Sequence, residues 1–539
     1  MQKAELPTWV ELKSNGIKLH NRRLVQFLSK NGFGNFQVAT DRTSEQVIFR
    51  NSDGVLELHS PKTVKNWIEK LVEYDDQLDE AQKDLILDKL ISITTSTMQT
   101  LLHSLPQFSE TESDETTKLT IFRDGRNVCY LHFRNATVRI TADDISLVQR
   151  ADEHSGNIWE SKLIDHEIII PDQNASKKSS AFRDFITYAM KSKTDPVKDG
   201  TDLATEVGDE RWKHGIDAFE TGFGYLIHEY NPPDEAKVVA FIDVDSSPER
   251  TDGGNGKSVA MECVRYFRKT AFVDGKSFRK AMADSSRFNF SNVEVDTGFI
   301  FINDLNPDFD LTQLFSIITD DMTVEQKGKN KVVIPKDRKP KMGLTTNYVI
   351  TGVGVSYERR QHIVEFGNFW SKCTRRNIKP RDVIGKNIGD EFDRDDWNAF
   401  YNYGFHCIQR YLKEGLVAKG NSSYKVKALT QSIEGVGSSG EVVTWIDNWI
   451  RTTRVERGND KEGITVDDLY SAFATDHPDL VRSSWSHAKL YDAVFKYVSA
   501  SDEYEYNAEK AHKGNTKSDR RIRVGARGNQ KDIIKISDL

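Results

Sequence analysis

The most definite chemistry in this sequence lies at Gly253-Gly254-Asn255-Gly256-Lys257-Ser258. The segment follows the apolar run Val238–Ile242, short enough for a fully buried strand, and precedes a helical stretch over Val259–Phe267. Strand, glycine-rich loop and helix together form a phosphate cradle. Glycines let backbone N–H groups converge on phosphate oxygens, Lys257 reaches the β- and γ-phosphates, and Ser258 supplies a hydroxyl to Mg²⁺. Ala260, Cys263, Val264 and Phe267 form the stripe that seats the helix on a sheet. Thr251 stands where the usual pattern has a glycine, six residues before the lysine. A Gly-Lys-Ser triplet alone also arises from a glycine turn beside a surface lysine; its place between strand and helix is what points to ATP.

An ATPase needs a carboxylate at the end of a neighbouring strand. Gly298–Ile302 reads as such a strand and ends at Asn303-Asp304, which makes Asp304 the candidate, although Asn-Asp pairs also favour plain turns. Asn303 stands where many such enzymes carry a second acid, so hydrolysis is expected to be slow or to rest on Asp304 alone. Gly343-Leu344-Thr345-Thr346-Asn347 reads as another strand ending in an amide, suited to the γ-phosphate or the attacking water and equally suited to ordinary backbone satisfaction. Arg359-Arg360 follows, either a solvated pair or a cation for a neighbouring subunit's nucleotide.

The elements that must position these groups belong to a chain of 539 residues with 37% hydrophobic content, enough for about three or four folding units. Net charge is −7, which argues against a molecule basic throughout, so any DNA contact rests on local patches. Cys129, Cys263, Cys373 and Cys407 are too dispersed for a zinc pair and too few for a disulfide framework, which suits a reducing cytosol. Neither a signal peptide nor a bilayer-spanning run is evident, so a soluble cytoplasmic protein without membrane contact is expected.

Residues 1–108 read as a mixed α/β region of unknown role, with extended pieces at Gln46–Phe49 and Val55–Leu58 and a helix from Leu78 to Ile93 bearing Leu78, Ala81, Leu85, Ile86, Leu90 and Ile93. Residues 109–170 read as a small strand-rich domain. Its strands Leu119–Phe122 and Val128–Phe133 are expected to pair across Asp124-Gly125-Arg126-Asn127, with Ala136–Ile140 next. Residues 171–235 form a helical segment with a long helix over Trp212–Tyr230, and 236–418 alternate strands and helices as an α/β sheet domain.

In this order, GGNGKS, FIFIND, a lysine-rich hairpin, GLTTN and YERR resemble the motifs of superfamily 3 helicases, and more closely the phage and plasmid primase-helicase proteins related to the poxvirus primase-helicase. The resemblance runs from about Asp199 to Leu416. It implies an AAA+-like P-loop ATPase core within an α/β multidomain chain, 171–235 acting as an oligomerisation collar, and a hexameric ring on single-stranded and forked DNA. Residue by residue it implies Lys257 and Ser258 on phosphate and Mg²⁺, Asp304 as the acid, Asn347 as sensor, and Arg359 or Arg360 as arginine finger. Between Thr323 and Ile334 two extended arms flank a basic tip, where Lys327, Lys329 and Lys331 are expected to grip phosphates without sequence preference; an exposed hairpin kept soluble by lysine has the same composition. A separate primase or polymerase is an implied partner, and phage or mobile-element replication in a host cytoplasm the implied setting. Asp143-Asp144 reads as a turn, and no primase activity is assigned.

Residues 430–539 read as three helices, over Val442–Ile450, Val466–Phe473 and Ser484–Ser499, then extended runs near Tyr504 and at Ile533–Ile536. This is the element order of a winged helix. Nine Lys or Arg stand against two Asp between Lys510 and Lys535, so Arg520, Arg521 and Arg523, with Lys489 on the third helix, are the candidate contacts to duplex DNA. A basic unstructured tail is the competing description of that composition.

Overall fold

A computed structural model describes residues 6–14, 16–38, 45–110, 114, 118–149, 156–169, 180–191, 211–232, 234–243, 253–278, 288–306, 309–325, 331–348, 350, 355–418, 422–435, 440–457, 464–500, 504–508, 510, 517–518, 521–524 and 530–538. The fold is mixed α/β with a parallel central sheet.

That sheet has five strands: β1 (Val238–Asp243), β2 (Thr270–Asp274), β3 (Phe299–Leu305), β4 (Lys341–Thr346) and β5 (Gln361–Phe366). They lie in the order β2-β3-β4-β1-β5, every neighbouring pair parallel. All positions of β1 are buried, which is why it reads as one apolar run rather than an alternating one. Successive side chains still point to opposite faces. Val239 and Phe241 join one core with Phe219, Phe223, Val264 and Phe400, while Val238, Ala240 and Ile242 join another with Ile300, Ile302, Leu311 and Leu344.

Two long helices cover the first face, α1 (Arg211–Ile227) and, after the loop helix α2 (Lys257–Glu262), α3 (Arg394–Glu414). α1 and α3 touch backbone to backbone: a Cβ on Gly224 would fall 2.1 Å from the carbonyl oxygen of Cys407. Residues 218–228 are all buried, so this part of the segment expected to form a collar is occupied by contacts within its own chain.

The N-terminal sheet runs Ile158–Trp159, Val55–His59, Glu45–Ser52, Phe33–Val38, Gln107–Phe108. Its first strand comes from beyond residue 108, and Trp159 shares a core with Phe36, Phe49, Leu56, Leu119 and Ile121. The helix expected over 78–93 spans Glu80–Ile91 and buries Ile86 and Leu90, but Leu85 is exposed.

One expected hairpin does not form. Leu119–Phe122 makes no ladder with Val128–Phe133; Ile121 bridges Asn157 instead, and Val128–Phe133 pairs with Thr137–Thr141. The turn itself closes, with Gly125 and Val128 exchanging backbone hydrogen bonds at 3.0 and 3.3 Å, but Asp124 just before it is drawn into the interior and the ladder goes no further. Its carboxylate accepts from the backbone N–H of Tyr130 at 2.8 Å and of Glu229 at 2.9 Å, and from Arg268 Nη2 at 3.1 Å. Asp143-Asp144 does turn, with Thr141 Oγ1 accepting from the Asp144 N–H at 3.0 Å.

The C-terminal region contains the helices Ser422–Glu434, Glu441–Arg457, Val466–Asp476, Pro478–Ser483 and His487–Ala500. A small antiparallel sheet orders Ile464–Thr465, Lys531–Ile534 and Ile522–Val524, and Tyr504–Tyr506 pairs with Ile536–Asp538. Leu469, Phe473, Leu490, Val494 and Ile534 close one core between helices and sheet. No helix among the described residues is long and apolar enough to cross a membrane.

Candidate functional site

The loop returns from β1 to α2 through two glycines in the left-handed region, Gly254 at φ 93° and Gly256 at φ 88°. At Gly256 the requirement is double, because a Cβ there would also meet Phe185 Cζ at 2.6 Å. α2 starts at Lys257 and continues as a tighter turn over Cys263–Tyr266; Ala260, Cys263, Val264 and Phe267 are buried as expected.

Lys257 is buried and its ammonium has two partners, Asp243 Oδ2 at 2.5 Å and Asn347 Oδ1 at 2.8 Å. Burial pushes the Lys257 pKa down, and the adjacent Asp243 carboxylate works against that shift. Asp243 also accepts from Asn255 Nδ2 at 2.9 Å, so one carboxylate ties together the loop, its lysine and the end of β1.

Beside them β3 carries a bulge: Ile302 pairs with Leu344 and Leu305 with Thr346, leaving Asn303 and Asp304 opposite Thr345 alone. Extra residues of this kind re-aim side chains. Asn303 turns to the loop, its Oδ1 accepting from Ser258 Oγ at 2.8 Å and from Thr345 Oγ1 at 2.8 Å. Asp304, at φ 59°, donates its backbone N–H to Thr345 Oγ1 at 3.1 Å and sends its carboxylate to Lys276 Nζ at 3.1 Å. That carboxylate in turn raises the Lys276 pKa.

Lys257, Ser258, Asn303, Asp304 and Asn347 thus gather at the carboxyl ends of β1, β3 and β4, where open parallel sheets bind their ligands. The oxygen donors suit Mg²⁺, which takes a few protein oxygens together with phosphate and water. Ser258 Oγ, Asn303 Oδ1 and the Asp304 carboxylate are the groups in reach, and Asp304 would have to leave Lys276 to serve. Asp243, Thr345 and Lys276 join the site although no motif in the sequence gives them a role. A carboxylate ending the loop-bearing strand was the available signal for Asp243; the other two depend on strand register.

The arginines do not join this cluster within one chain. Val238 N donates to Arg360 O at 2.9 Å, which puts the pair beside the first residue of β1, while Lys257 follows its last. Six strand residues separate the two ends by roughly 15–20 Å. Arg360 is engaged locally, its guanidinium 4.4 Å from the Phe315 ring centroid and its Nη1 donating to Ser356 O at 3.0 Å, whereas Arg359 is exposed.

The arms of the basic hairpin pair as expected, Met322–Val324 with Val332–Ile334, and Lys331 meets Glu325 at 2.7 Å. Lys327 and Lys329 lie outside the described residues, as does Arg520. Lys489 is exposed, its ammonium 4.3 Å from the centroid of Trp485. Arg521 and Arg523 converge on one carboxylate, Asp532, at 2.5 and 3.3 Å. The four cysteines are buried and free, and no group of acids, histidines and cysteines among the described residues could hold a metal by itself.

No family model matches this chain, and no curated protein matches it. Among solved structures the chain is similar to the apo A form of the NrS-1 C-terminal region, at 10% identity and a TM-score of 0.38, over 95% of this chain and 99% of that one. Against the 305–718 piece of the same region the values are 8% identity and a TM-score of 0.28, over 76% of this chain and 96% of the other. At this level the likeness is one of loose chain arrangement, and the site stands on its own residues.

Proposed function

We propose that this protein is an ATP hydrolase that drives movement along DNA, a helicase of the superfamily 3 type working as a ring of six copies in the replication of a phage or other mobile element. The observation that carries the reading is the meeting of Lys257, Ser258, Asn303 and Asn347 at the carboxyl ends of adjacent parallel strands, joined by hydrogen bonds of 2.8 Å. A γ-phosphate placed against Lys257 also lies against Asn347, which then orients it or the attacking water. Ser258, with Asp304 once released from Lys276, would hold Mg²⁺, which when bound would supply charge neutralisation at the phosphates. Arg359, exposed and remote from its own site, serves the nucleotide of the adjacent copy, where such a cation is worth about 10³–10⁵ in turnover.

The hairpin between Met322 and Ile334 supplies lysines to single-stranded DNA. From Glu441 the order is helix, short strand, three helices and four strands, and the strands Ile464–Thr465, Ile522–Val524 and Lys531–Ile534 share one sheet; this supports a winged helix with one added short helix, Lys489 and the Arg521–Arg523 edge facing duplex. Strand separation of a forked duplex by the full chain with ATP and Mg²⁺ is the test: unwinding is expected, and ATP turnover stimulated by single strands without any unwinding would sink the helicase reading. That second outcome belongs to a regulatory or origin-binding ATPase that uses ATP as a switch. One observation favours it, the uncharged Asn303 on Ser258, which leaves the site one carboxylate short for fast hydrolysis.

A further inference from the structure

Asp243 and Lys257 are both enclosed, with 8% and 6% of their side chains exposed, and they lie 2.5 Å apart. The same carboxylate takes the Asn255 amide on its other oxygen at 2.9 Å. Phosphate-loop chemistry requires the lysine ammonium to face phosphate, yet here a fixed internal anion already satisfies it. We propose that Asp243 is the resident counter-ion of the phosphate loop: it positions Lys257 and Asn255 when no phosphate is bound, and competes with bound nucleotide for Lys257. The inference deepens the ATPase reading and rests on it.

The physical consequence is a sign. If Asp243 only shaped the loop, its removal would loosen the site and weaken binding. As a competitor, its removal strands a buried ammonium that an incoming phosphate relieves, so binding tightens. Loss of one partner from a buried pair is strongly unfavourable because the remaining charge is uncompensated. A ligand that restores compensation recovers part of that cost through linkage.

The experiment titrates ADP with Mg²⁺ into the full chain as wild type, Asp243→Asn and Lys257→Met, with thermal shifts recorded in parallel. Asp243→Asn is expected to lower the Kd for ADP by about tenfold or more, and to show a larger ADP-induced rise in Tm than the wild type. An unchanged or higher Kd in Asp243→Asn, with wild-type binding intact and dependent on Lys257, overturns the counter-ion role and leaves the ATPase reading standing. Wild type that binds no ADP, or binds it as well after Lys257→Met, removes the ATPase reading and this inference with it. Should Asp243→Asn alone not fold, Asp243→Asn/Lys257→Met decides. With both charges gone the double variant is expected to melt near the wild type, and its failure to fold assigns Asp243 to the fold and overturns the proposal.

Discussion

Ser258 Oγ donates to Asn303 Oδ1 at 2.8 Å, so an amide rather than a carboxylate faces the loop hydroxyl. In the proposed ATPase, Asn303→Asp would add a charge to the Mg²⁺ environment at a position already aimed by the β3 bulge. Charge-assisted contacts are roughly twice as strong as neutral ones. The half-saturating Mg²⁺ for ATP hydrolysis is expected to fall by roughly tenfold, with turnover rising. A Mg²⁺ titration of the variant checks this, and an unchanged curve would show that Asn303 does not meet the ion.

The two loop glycines separate geometry from chemistry. Gly256 has φ 88° and stands 2.6 Å from Phe185 Cζ at its would-be Cβ, while Gly253 has nothing within 4 Å and no left-handed backbone. Gly256→Ala is expected to cost about 1–2 kcal/mol for conformation alone, more with the clash, and to abolish nucleotide binding. Gly253→Ala should retain binding. Melting curves with nucleotide titration distinguish them; equal effects would contradict the loop geometry.

Lys341 is buried at the start of β4, its ammonium 3.9 Å from the Tyr225 ring centroid and without a hydrogen-bond partner. Burial pushes its pKa down to about 7, against a pull upward from Glu235. The unfolded lysine titrates at about 10.4, so between these values the unfolded chain holds a proton that the folded chain has released. Stability attributable to this residue therefore rises with pH across that window and is lost as pH falls towards 7. Lys341→Met should raise Tm at pH 7 and flatten the climb between pH 7 and pH 10. Thermal melts across that range decide, and a variant that melts lower at pH 7 would contradict the assignment.

Arg268 and Asp124, 144 residues apart in sequence, are both almost fully buried and meet at 3.1 Å. Arg268 keeps Glu229 at 3.8 Å, but Asp124 also accepts from the Tyr130 and Glu229 N–H groups, so Asp124→Asn is expected to cost on the order of 3 kcal/mol, the low end for breaking a buried charge pair. Denaturant unfolding measures it, and a cost below about 1 kcal/mol would place the pair in solvent-like surroundings.

This pair also shows where reading the sequence fails. Val238–Ile242 and Gly298–Ile302 announce themselves because strands buried on both faces need unbroken apolar runs, and Gly254 and Gly256 because the loop needs left-handed residues. Local chemistry suffices for these. Asp124-Gly125-Arg126-Asn127 has every local mark of a hairpin turn, and the turn closes between Gly125 and Val128, but its acid is claimed by an arginine far along the chain, so tertiary contact stops the ladder that the turn would otherwise extend. Leu85 fits the helical stripe yet faces solvent, because the stripe indicates which residues could be buried and not which neighbour exists to bury them. Within the site, the glycine loop between strand and helix marks Lys257 and Ser258, whereas Asn347 reads equally well as a strand-end amide, and only the fold brings it to Lys257. The turn of Asn303 towards Ser258 and of Asp304 towards Lys276 was not legible, since it comes from a one-residue mismatch between β3 and β4.

In the proposed function Lys257 lies in an ATP-hydrolysing site coupled to DNA. Steady-state ATP hydrolysis by the full chain with Mg²⁺, with and without single-stranded DNA, and for wild type beside Lys257→Ala, tests it most directly. Turnover that rises several-fold with single strands and vanishes in Lys257→Ala is the predicted result. Turnover untouched by Lys257→Ala, or indifferent to DNA, would contradict the account.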